Sequence, residues 1–282
     1  QSSGVEPAWA HFWFDGPRGG FWREAYAVGC RVAGTAADEA TIDEVFDEVM
    51  ANAGTPDARS RQVRIWRDSD DGPQWDVRRL SSPPWDELKR NYPSSTRYAL
   101  DDLMLTGPPE SSARLLLWHG EPGTGKTSAV LGLIDAWHDW CHAQVISDPE
   151  RMFSDANYLL SVMGHNPGPE LTGLDVTKPR QPRWKLIVCE DADEYLRSDA
   201  RARSGPALGR LLNATDGLLG RGTNTLVLLT TNDELGRLHP AVTRPGRCLS
   251  SLEFPRFNAA EASNWLGRPS PSATLTELYQ SR

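Results

Sequence analysis

A glycine-rich segment that ends in a lysine and a threonine is the first part of the sequence that could do chemistry. It runs Gly120-Glu121-Pro122-Gly123-Thr124-Gly125-Lys126-Thr127, and Ser128 follows it. The spacing matches G-x-x-x-x-G-K-[ST], in which backbone N–H groups curl around phosphate oxygens because glycine has no Cβ in the way. We expect the Lys126 ammonium to reach the β and γ phosphates and the Thr127 hydroxyl to bind Mg²⁺. The segment therefore predicts a site for ATP and Mg²⁺ formed by residues 120–128.

Four carboxylates within five positions form a second group. Glu190, Asp191, Asp193 and Glu194 follow the apolar run Leu186-Ile187-Val188-Cys189. Mg²⁺ in a phosphoryl-transfer site binds few carboxylates and keeps several waters. One acid is therefore expected on the metal side and another on the attacking water. The residues alone leave two pairs open, Glu190-Asp191 and Asp193-Glu194.

Further polar residues follow the next apolar run. Asn232 comes after Leu226–Thr230, and Arg244 and Arg247 lie in an Arg-Pro-Gly-Arg segment. Three segments, "LIVCEDADEYL", "LLNATDGL" and "LVLLTTNDELGRLHPAVTRPGRC", resemble in this order the second nucleotide motif, the next helix and the second region of homology of AAA ATPases. The resemblance covers residues 95–257 and leaves the N-terminal part unexplained.

The resemblance implies a role for each of these residues. Asn232 is expected to act as a sensor that hydrogen-bonds the attacking water or the γ-phosphate. Arg244 and Arg247 are expected to act as arginine fingers, which stabilise the transferring phosphoryl group in the neighbouring subunit's site. A site completed at an interface implies a homo-oligomeric ring, by resemblance a hexamer, closed by head-to-tail contacts. The implied activity is ATP hydrolysis coupled to remodelling of a protein partner.

Comparison with the family assigns the acids. The family places four apolar residues before the acidic pair, which puts Glu190 on the metal side and Asp191 on the water. The other register would place charged Glu190 and Asp191 in or beside a buried strand, which is costly. Asp193 then matches a further acid that is usual two positions after the pair, and Glu194 begins the next helix.

The order Glu-Asp is the reverse of that in most family members. It resembles the branch that includes the mitochondrial translocase of the folded Rieske iron–sulfur protein. The shorter Asp191 withdraws the carboxylate by about 1.5 Å, one C–C bond length. An error of that size can cost on the order of a hundredfold in rate. We therefore expect slow but real ATP hydrolysis.

These groups need a scaffold that brings the ends of several strands together. From residue 111 onward, buried strands alternate with helices, a pattern typical of a parallel sheet covered on both faces. The expected fold is α/β, with an AAA core over 83–257 and a short helical lid over 258–282 that is reduced or trimmed. The core should contain a five-stranded parallel sheet with strands Leu115–His119, Ala143–Ser147, Leu186–Cys189, Leu226–Thr230 and Ser251–Phe254.

Residues 1–82 predict a small α/β module for recruitment or regulation. Its predicted elements are two strands in "AHFWFDG" and "FWREAYAVG", a helix over 38–54, and the strands "RQVRIWRD" and "QWDVRRL" around Asp70-Asp71-Gly72-Pro73. Ser81-Ser82-Pro83-Pro84 marks the boundary, because paired prolines end a strand. A helical bridge over Trp85–Met104 follows.

Two departures from the family bear on mechanism. The segment "SDPERMFSDANYLL" lacks the aromatic-aliphatic-glycine triplet that threading AAA proteins carry in their pore. Met152, Phe153 and Tyr158 instead have the helical spacing of core residues. The short lid offers no secure second sensor, and Arg268 is a candidate by position alone.

Composition narrows the choice of partners. The net charge of −8 disfavours nucleic acid, because phosphate-backbone binding needs clustered Lys and Arg. No apolar run approaches the roughly 20 residues needed to cross a bilayer. Four scattered cysteines indicate reduced thiols and a cytoplasmic location. A nucleotide-gated assembly or adaptor module and a nucleic-acid motor remain as alternatives, whereas a small-molecule kinase would not need Asn232 and the Arg-Pro-Gly-Arg segment.

Overall fold

A computed structural model provides the structure of the chain. It describes residues 10–12, 21–27, 30–36, 60–165, 184–197, 208–213, 215, 223–244 and 246–282. These residues fall into two units, one before position 58 and one from Arg59 onward. The larger unit contains all the described residues that the sequence predicts to do chemistry.

The small unit is a three-stranded mixed sheet. It consists of β1 (Ala10–Phe12), β2 (Phe21–Ala27) and β3 (Cys30–Ala36), in the order β1-β3-β2. β3 runs parallel to β1 and antiparallel to β2. The sequence predicts β1 and β2 but misses β3, because its small residues give no clear alternation of apolar and polar side chains. The predicted helix over 38–54 lies outside the described residues.

The larger unit is built on a seven-stranded sheet in the order β10-β6-β9-β8-β7-β4-β5. Neighbouring strands are parallel except that β5 is antiparallel to β4. All five predicted strands are present, with ends that differ by up to three residues. The strands are β4 (Ser60–Arg67), β5 (Gln74–Ser81), β6 (Leu115–His119), β7 (Cys141–Ile146), β8 (Trp184–Cys189), β9 (Thr225–Thr231) and β10 (Cys248–Glu253).

The sheet has two more strands than the five predicted. β4 and β5, which the sequence assigns to the N-terminal module, extend the large sheet beyond β7. Val63 and Trp66 of β4 are buried in this unit, and Trp66 Nε1 donates to Gln144 Oε1 of β7 at 2.8 Å. Pairing also satisfies the backbone groups that β7 would otherwise leave open at its edge. The predicted boundary at residues 81–84 therefore follows an edge strand of the large sheet.

Helices pack against this sheet. The predicted bridge over Trp85–Met104 is interrupted by a 3₁₀ turn, Lys89–Asn91, and by Pro93. Proline disfavours the helical conformation at the residue before it, and Tyr92 is accordingly extended, with φ −127°. Residues 208–213 are also helical. The other helices are α1 (Trp85–Leu88), α2 (Ser94–Met104), α3 (Lys126–Ala136), α4 (Pro149–Ser154), α5 (Ala156–Gly164), α6 (Asp193–Leu196), α7 (Pro240–Thr243), α8 (Ala259–Leu266) and α9 (Leu275–Gln280).

Alternate side chains of the central strands enter two apolar layers. In β6, Leu115 and Leu117 belong to one layer and Leu116 and Trp118 to the other. The first layer also contains Met152, Phe153 and Tyr158, each at most 1% exposed, which confirms that these three are core residues. In the part of the chain that the structure describes, no helix combines the length and apolar character needed to cross a bilayer.

Candidate active site

The phosphate loop joins the end of β6 to the start of α3. Gly125 has φ 94° and precedes Lys126, the first residue of α3, so the loop leads into the free N–H groups of a helix N-terminus. Gly120 has φ 142°, and a Cβ there would lie 2.3 Å from the Phe254 carbonyl oxygen. The Thr124 hydroxyl closes the turn by donating to the Glu121 carbonyl at 2.8 Å. The fold thus gathers the predicted phosphate-binding segment into one tight turn.

Lys126 lies at the centre of this turn and is 7% exposed. Its ammonium donates to the carbonyls of Gly120 at 2.6 Å and Glu121 at 3.0 Å, and to Asn232 Oδ1 at 2.9 Å. Burial lowers the pKa of Lys126, and the nearby charges of three carboxylates act in the opposite direction. The ammonium is therefore held in the loop by neutral oxygens that phosphate oxygens can replace.

Thr127 and Glu190 meet across the loop. The Thr127 hydroxyl donates to Glu190 Oε1 at 2.8 Å, although the two residues are 63 positions apart. A hydroxyl and a carboxylate are the hard oxygen ligands that Mg²⁺ prefers, and Mg²⁺ takes its other ligands from water and phosphate. The donor set therefore fits Mg²⁺, and these two residues are the ones that would hold it.

Asp191 occupies a strained turn directly after β8. Its φ is 52°, a positive value that no other described residue except glycine adopts. The turn is tied to β9, because the Asp191 N–H donates to Thr230 Oγ1 at 3.0 Å and the Ala192 N–H to the Thr230 carbonyl at 2.9 Å. Aspartate tolerates this left-handed conformation better than most residues. The turn thus gives a local reason for aspartate in the second position of the reversed pair.

Asn232 joins the lysine to the acids. Its Nδ2 donates to Asp191 Oδ1 at 3.2 Å and to Asp193 Oδ2 at 3.1 Å, while its Oδ1 accepts from Lys126. The structure therefore brings together Lys126, Thr127, Glu190, Asp191 and Asn232, all predicted from the sequence. The contact to Asp193 is new, because the sequence only matches Asp193 to a further acid of the family and assigns it no partner.

We expect Glu190→Gln to stabilise the nucleotide-free protein at pH 7. Burial raises the pKa of Glu190 above its ordinary 4.5, and the charge of Asp191 adds to this, against the hydrogen bond from Thr127 and the charge of Lys126. The unfolded chain then releases the proton more readily than the folded chain, so ionisation of Glu190 opposes folding above the ordinary pKa. Glutamine removes this cost and still accepts from Thr127. The gain should be on the order of 0.5–2 kcal/mol in the free energy of unfolding.

Denaturant unfolding between pH 4 and pH 8 measures this effect. The advantage of Glu190→Gln should be full near pH 7 and should fade as the pH falls to the ordinary pKa, where the wild-type carboxyl is protonated in both states. The exposed neighbour Glu194 supplies the matched control, Glu194→Gln. An advantage that is absent at pH 7, or that does not change with pH, would contradict the assignment of a half-buried, destabilising charge.

Arg244 and Arg247 are not brought to this site. Leu115, the first residue of β6, donates its N–H to the Arg247 carbonyl at 3.3 Å, whereas the phosphate loop follows His119, the last residue of β6. At about 3.3 Å per residue, the two ends of this strand are roughly 13 Å apart. Arg244 is exposed, and Arg247 Nη1 donates to the Ala241 carbonyl at 3.0 Å. Both arginines thus lie near the amino-terminal end of β6, whereas the phosphate loop follows its carboxyl end.

Residues 256–282, which include the segment predicted as a lid, contact the phosphate loop through residues that the sequence does not single out. The Thr276 N–H in α9 donates to the Gly123 carbonyl at 3.0 Å. Arg256 donates to Glu121 Oε2 at 2.9 Å and to Glu277 Oε2 at 2.5 Å. Glu277 also completes the capping box of α9 with Thr274, a Thr-x-x-Glu pattern that is visible in the sequence. The pattern predicts where α9 begins but not that it packs on the loop.

Two further residues bear on how the lid is attached. The Tyr92 hydroxyl donates to the Gly125 carbonyl at 3.1 Å, and its neighbour Asn91 accepts through Oδ1 from Trp265 Nε1 of α8 at 3.2 Å. Arg268, the positional candidate for a second sensor, donates to the Ser281 carbonyl. Arg256 is therefore the lid-side arginine that the structure places on the phosphate loop.

Comparisons with known proteins match two parts of the chain. Residues 12–105 match a family described as "Domain of unknown function (DUF5925)". Residues 116–256, half of the chain, match the "ATPase family associated with various cellular activities (AAA)". The first match extends past the predicted boundary at residue 82 to the end of α2.

Individual relatives cover part of the chain. The mitochondrial chaperone BCS1 of Bos taurus and that of Homo sapiens are each 32% identical over 143 residues, which is 46% of this chain and 29% of theirs. The chain thus spans under a third of the length of these curated relatives. A solved structure, the HORMA:CdnC:Trip13 complex of E. coli MS115-1, has a chain that is 20% identical with a TM-score of 0.41, over 64% of this chain and 59% of that chain. The family match and the BCS1 match confirm the resemblance to AAA ATPases and to the reversed Glu-Asp branch.

Proposed function

Because this chain belongs to the AAA ATPase family, we propose that it is a ring-forming, Mg²⁺-dependent ATPase that couples ATP hydrolysis to the remodelling of a protein partner. The observation that supports this most is the convergence of a phosphate loop, two acids and an amide at the carboxyl ends of β6, β8 and β9. These strands are adjacent and parallel. Ligands of open α/β sheets bind at the carboxyl ends of the strands.

Each residue of the site has a separate proposed role in phosphoryl transfer. The loop N–H groups and Lys126 bind the phosphates, and Lys126 exchanges the carbonyls of Gly120 and Glu121 for phosphate oxygens. Thr127 and Glu190 would hold Mg²⁺, which neutralises charge on the phosphate oxygens when it is bound. Asp191 accepts a proton from the attacking water, and Asn232 orients that water. Positioning and electrostatic stabilisation, rather than covalent chemistry, carry the reaction.

The location of the arginines supports the proposed ring. Arg244 and Arg247 lie near the amino-terminal end of β6, too far to reach the phosphate loop of the same chain. A head-to-tail interface instead presents these arginines to the active site of a neighbouring subunit, and repetition of such an interface closes a ring. A hexamer is the form that we propose from the family. The mass of the particle in the presence of ATP tests the proposal.

Remodelling without threading is the form of activity that we propose. BCS1 is named as a chaperone, which supports a protein as the partner, and residues N-terminal to the AAA region are proposed to recruit it. The segment after β7 forms α4 and α5 and buries most of its large apolar side chains in the core, with Leu160 as the exception at 52% exposed. It therefore presents no aromatic-aliphatic-glycine triplet for gripping an unfolded chain.

The proposal is tested by measuring phosphate release from the purified, assembled protein with ATP and Mg²⁺. We expect turnover that is slow yet clearly above that of Asp191→Ala. Omission of Mg²⁺ and the Lys126→Ala variant should each abolish it, the second through loss of nucleotide binding. Wild-type turnover no faster than that of Asp191→Ala would refute the proposed hydrolysis.

A nucleotide-gated assembly or adaptor module is the second candidate. It is favoured by the reversed acids and by the close contact of α9 with the phosphate loop, through which bound nucleotide can change the position of the lid. The two candidates differ in what Asp191→Asn does to capture of the partner protein. A switch should keep nucleotide-dependent capture in Asp191→Asn and lose it in Lys126→Ala, whereas a remodelling enzyme should bind the partner in Asp191→Asn without releasing it altered.

A further inference from the structure

Asp193 is bound to the end of β9 by both of its carboxylate oxygens. Oδ1 accepts from the Thr231 hydroxyl at 2.6 Å and from the Asn232 backbone N–H. Oδ2 accepts from Asn232 Nδ2 at 3.1 Å. Thr231 is fully buried and Asp193 is half-buried. The carboxylate thus anchors the residue that carries the sensor amide as well as the amide itself.

These contacts leave the Asn232 amide a single orientation. On one side, Oδ1 faces the Lys126 ammonium at 2.9 Å, which can only donate. On the other side, Nδ2 faces Asp191 and Asp193 at 3.2 and 3.1 Å, and ionised carboxylates can only accept. A flipped amide would set a donor against the ammonium and an acceptor against two carboxylates. The orientation is therefore determined by the chemistry of its neighbours.

We propose that Asp193 is the positioning residue that keeps the Asn232 NH₂ group directed at Asp191. The inference rests on the proposed ATPase function. When nucleotide binds, Lys126 moves to the phosphates and no longer holds Oδ1 of Asn232. The two carboxylates on Nδ2 then preserve the orientation, and of these Asp193 also holds the backbone N–H of Asn232. Oδ1 becomes available to accept a hydrogen bond from a water. Asp193 therefore acts through Asn232 on the geometry of the water and Asp191.

The contacts of Asp193 distinguish this role from that of a helix-start residue. An acid in the first turn of α6 would favour the helix dipole, but that effect needs neither Thr231 nor Asn232. The contacts observed instead cross from the end of β8 to the end of β9, over 38 and 39 positions of sequence. The adjacent acid Glu194 shares α6 and its first turn and is exposed. Glu194 is therefore a matched control for any effect on the helix alone.

The test replaces Asp193 with asparagine in the full chain. If the new NH₂ group takes the place of Oδ2, it meets the NH₂ group of Asn232. If it takes the place of Oδ1, it meets the Asn232 N–H and a Thr231 hydroxyl whose oxygen already accepts from the Asp233 N–H at 3.1 Å. Every arrangement misplaces Asn232. A misplacement of about 1 Å can cost on the order of a hundredfold in rate, so we expect kcat to fall about 10- to 100-fold. The Kd for ATP should stay within about threefold, because the hydrogen bonds of Asp193 go to Thr231 and Asn232, and its effect on Lys126 is only that of a nearby charge.

A second readout does not depend on hydrolysis. In the nucleotide-free protein, the side-chain NH₂ resonances of Asn232, identified by their absence in Asn232→Ser, should be resolved and slow to exchange with solvent. Asp193→Asn should shift these resonances and speed their exchange, and Glu194→Gln should leave them unchanged. If wild type hydrolyses no ATP while the resonances respond as stated, the proposed function fails and the positioning role stands.

The inference is overturned if Asp193→Asn keeps wild-type kcat, or if its Asn232 resonances match those of wild type. A fall in kcat that Glu194→Gln reproduces would also overturn it, since the effect would then belong to α6. Should Asp193→Asn not fold, Asp193→Glu keeps the charge and moves the carboxylate by one methylene. We expect this variant to show the same loss of kcat with unchanged Kd, and unchanged kcat there would be equally decisive against the proposal.

Discussion

Asp191→Asn is expected to lower kcat for ATP hydrolysis by about 10²- to 10⁴-fold, the range attributed to a positioned general base. The substitution keeps the shape of the side chain and an oxygen that can accept from Asn232 Nδ2, but it removes the group that takes the proton. ATP affinity should remain within about threefold, because the phosphates are bound by the loop and Lys126. Phosphate release and binding of a fluorescent ATP analogue measure the two quantities separately.

Asp191→Glu is the matched partner of this variant, because it keeps the carboxylate and lengthens its stem. We expect it to exceed wild-type kcat, by up to on the order of a hundredfold, since one methylene restores the reach that the reversed order removes. The substitution should lower the free energy of unfolding, because glutamate is less suited than aspartate to a φ of 52°. That decrease should be about 1 kcal/mol. Equal rates for Asp191→Asn and wild type would show that Asp191 is not the base.

Local chemistry explains why much of the site could be predicted. The phosphate loop is one contiguous segment, so its residue types and spacing suffice to assign Lys126 and Thr127. The pair Glu190-Asp191 follows from the buried strand before it, and β8 indeed ends at Cys189 with its last five residues buried. The contact between Thr127 and Glu190 is expected from the family resemblance, which places both residues beside Mg²⁺. The alternation of strands and helices does not by itself indicate that only β9 separates β6 from β8.

Contacts that depend on strand order or on distant segments could not be predicted. Asp193 meets Asn232 because β8 and β9 are neighbours in the sheet, and the acidic cluster itself does not indicate which acid does so. Thr276 reaches the phosphate loop across 153 positions. β4 joins β7 although its own alternating pattern suits a separate small sheet equally well. In each case the local pattern predicts the element, and the packing of the whole unit decides its partner.

Arg244→Ala is expected to lower kcat by 10³-fold or more, in the range of about 10³–10⁵ attributed to arginine fingers. Arg244 is exposed, so its loss should change the melting temperature little. Arg244→Lys keeps the charge but loses the planar fork that matches phosphate oxygens, and it should recover only part of the rate. Arg247→Ala should instead destabilise the turn before β10, because Arg247 donates to the Ala241 carbonyl.

Mixing two inactive variants tests whether Arg244 acts in the neighbouring subunit. Asp191→Asn subunits keep the arginine finger but lack the general base. Arg244→Ala subunits keep the base but lack the finger. A site that has both groups is therefore formed wherever an Arg244→Ala subunit receives the finger of an Asp191→Asn neighbour. Random assembly at equal amounts makes about a quarter of the sites complete in a head-to-tail ring. Recovery of roughly that fraction of wild-type activity is expected only for action in trans. If Arg244 served its own chain, each subunit would lack one essential group, and no ratio of the two variants would restore hydrolysis.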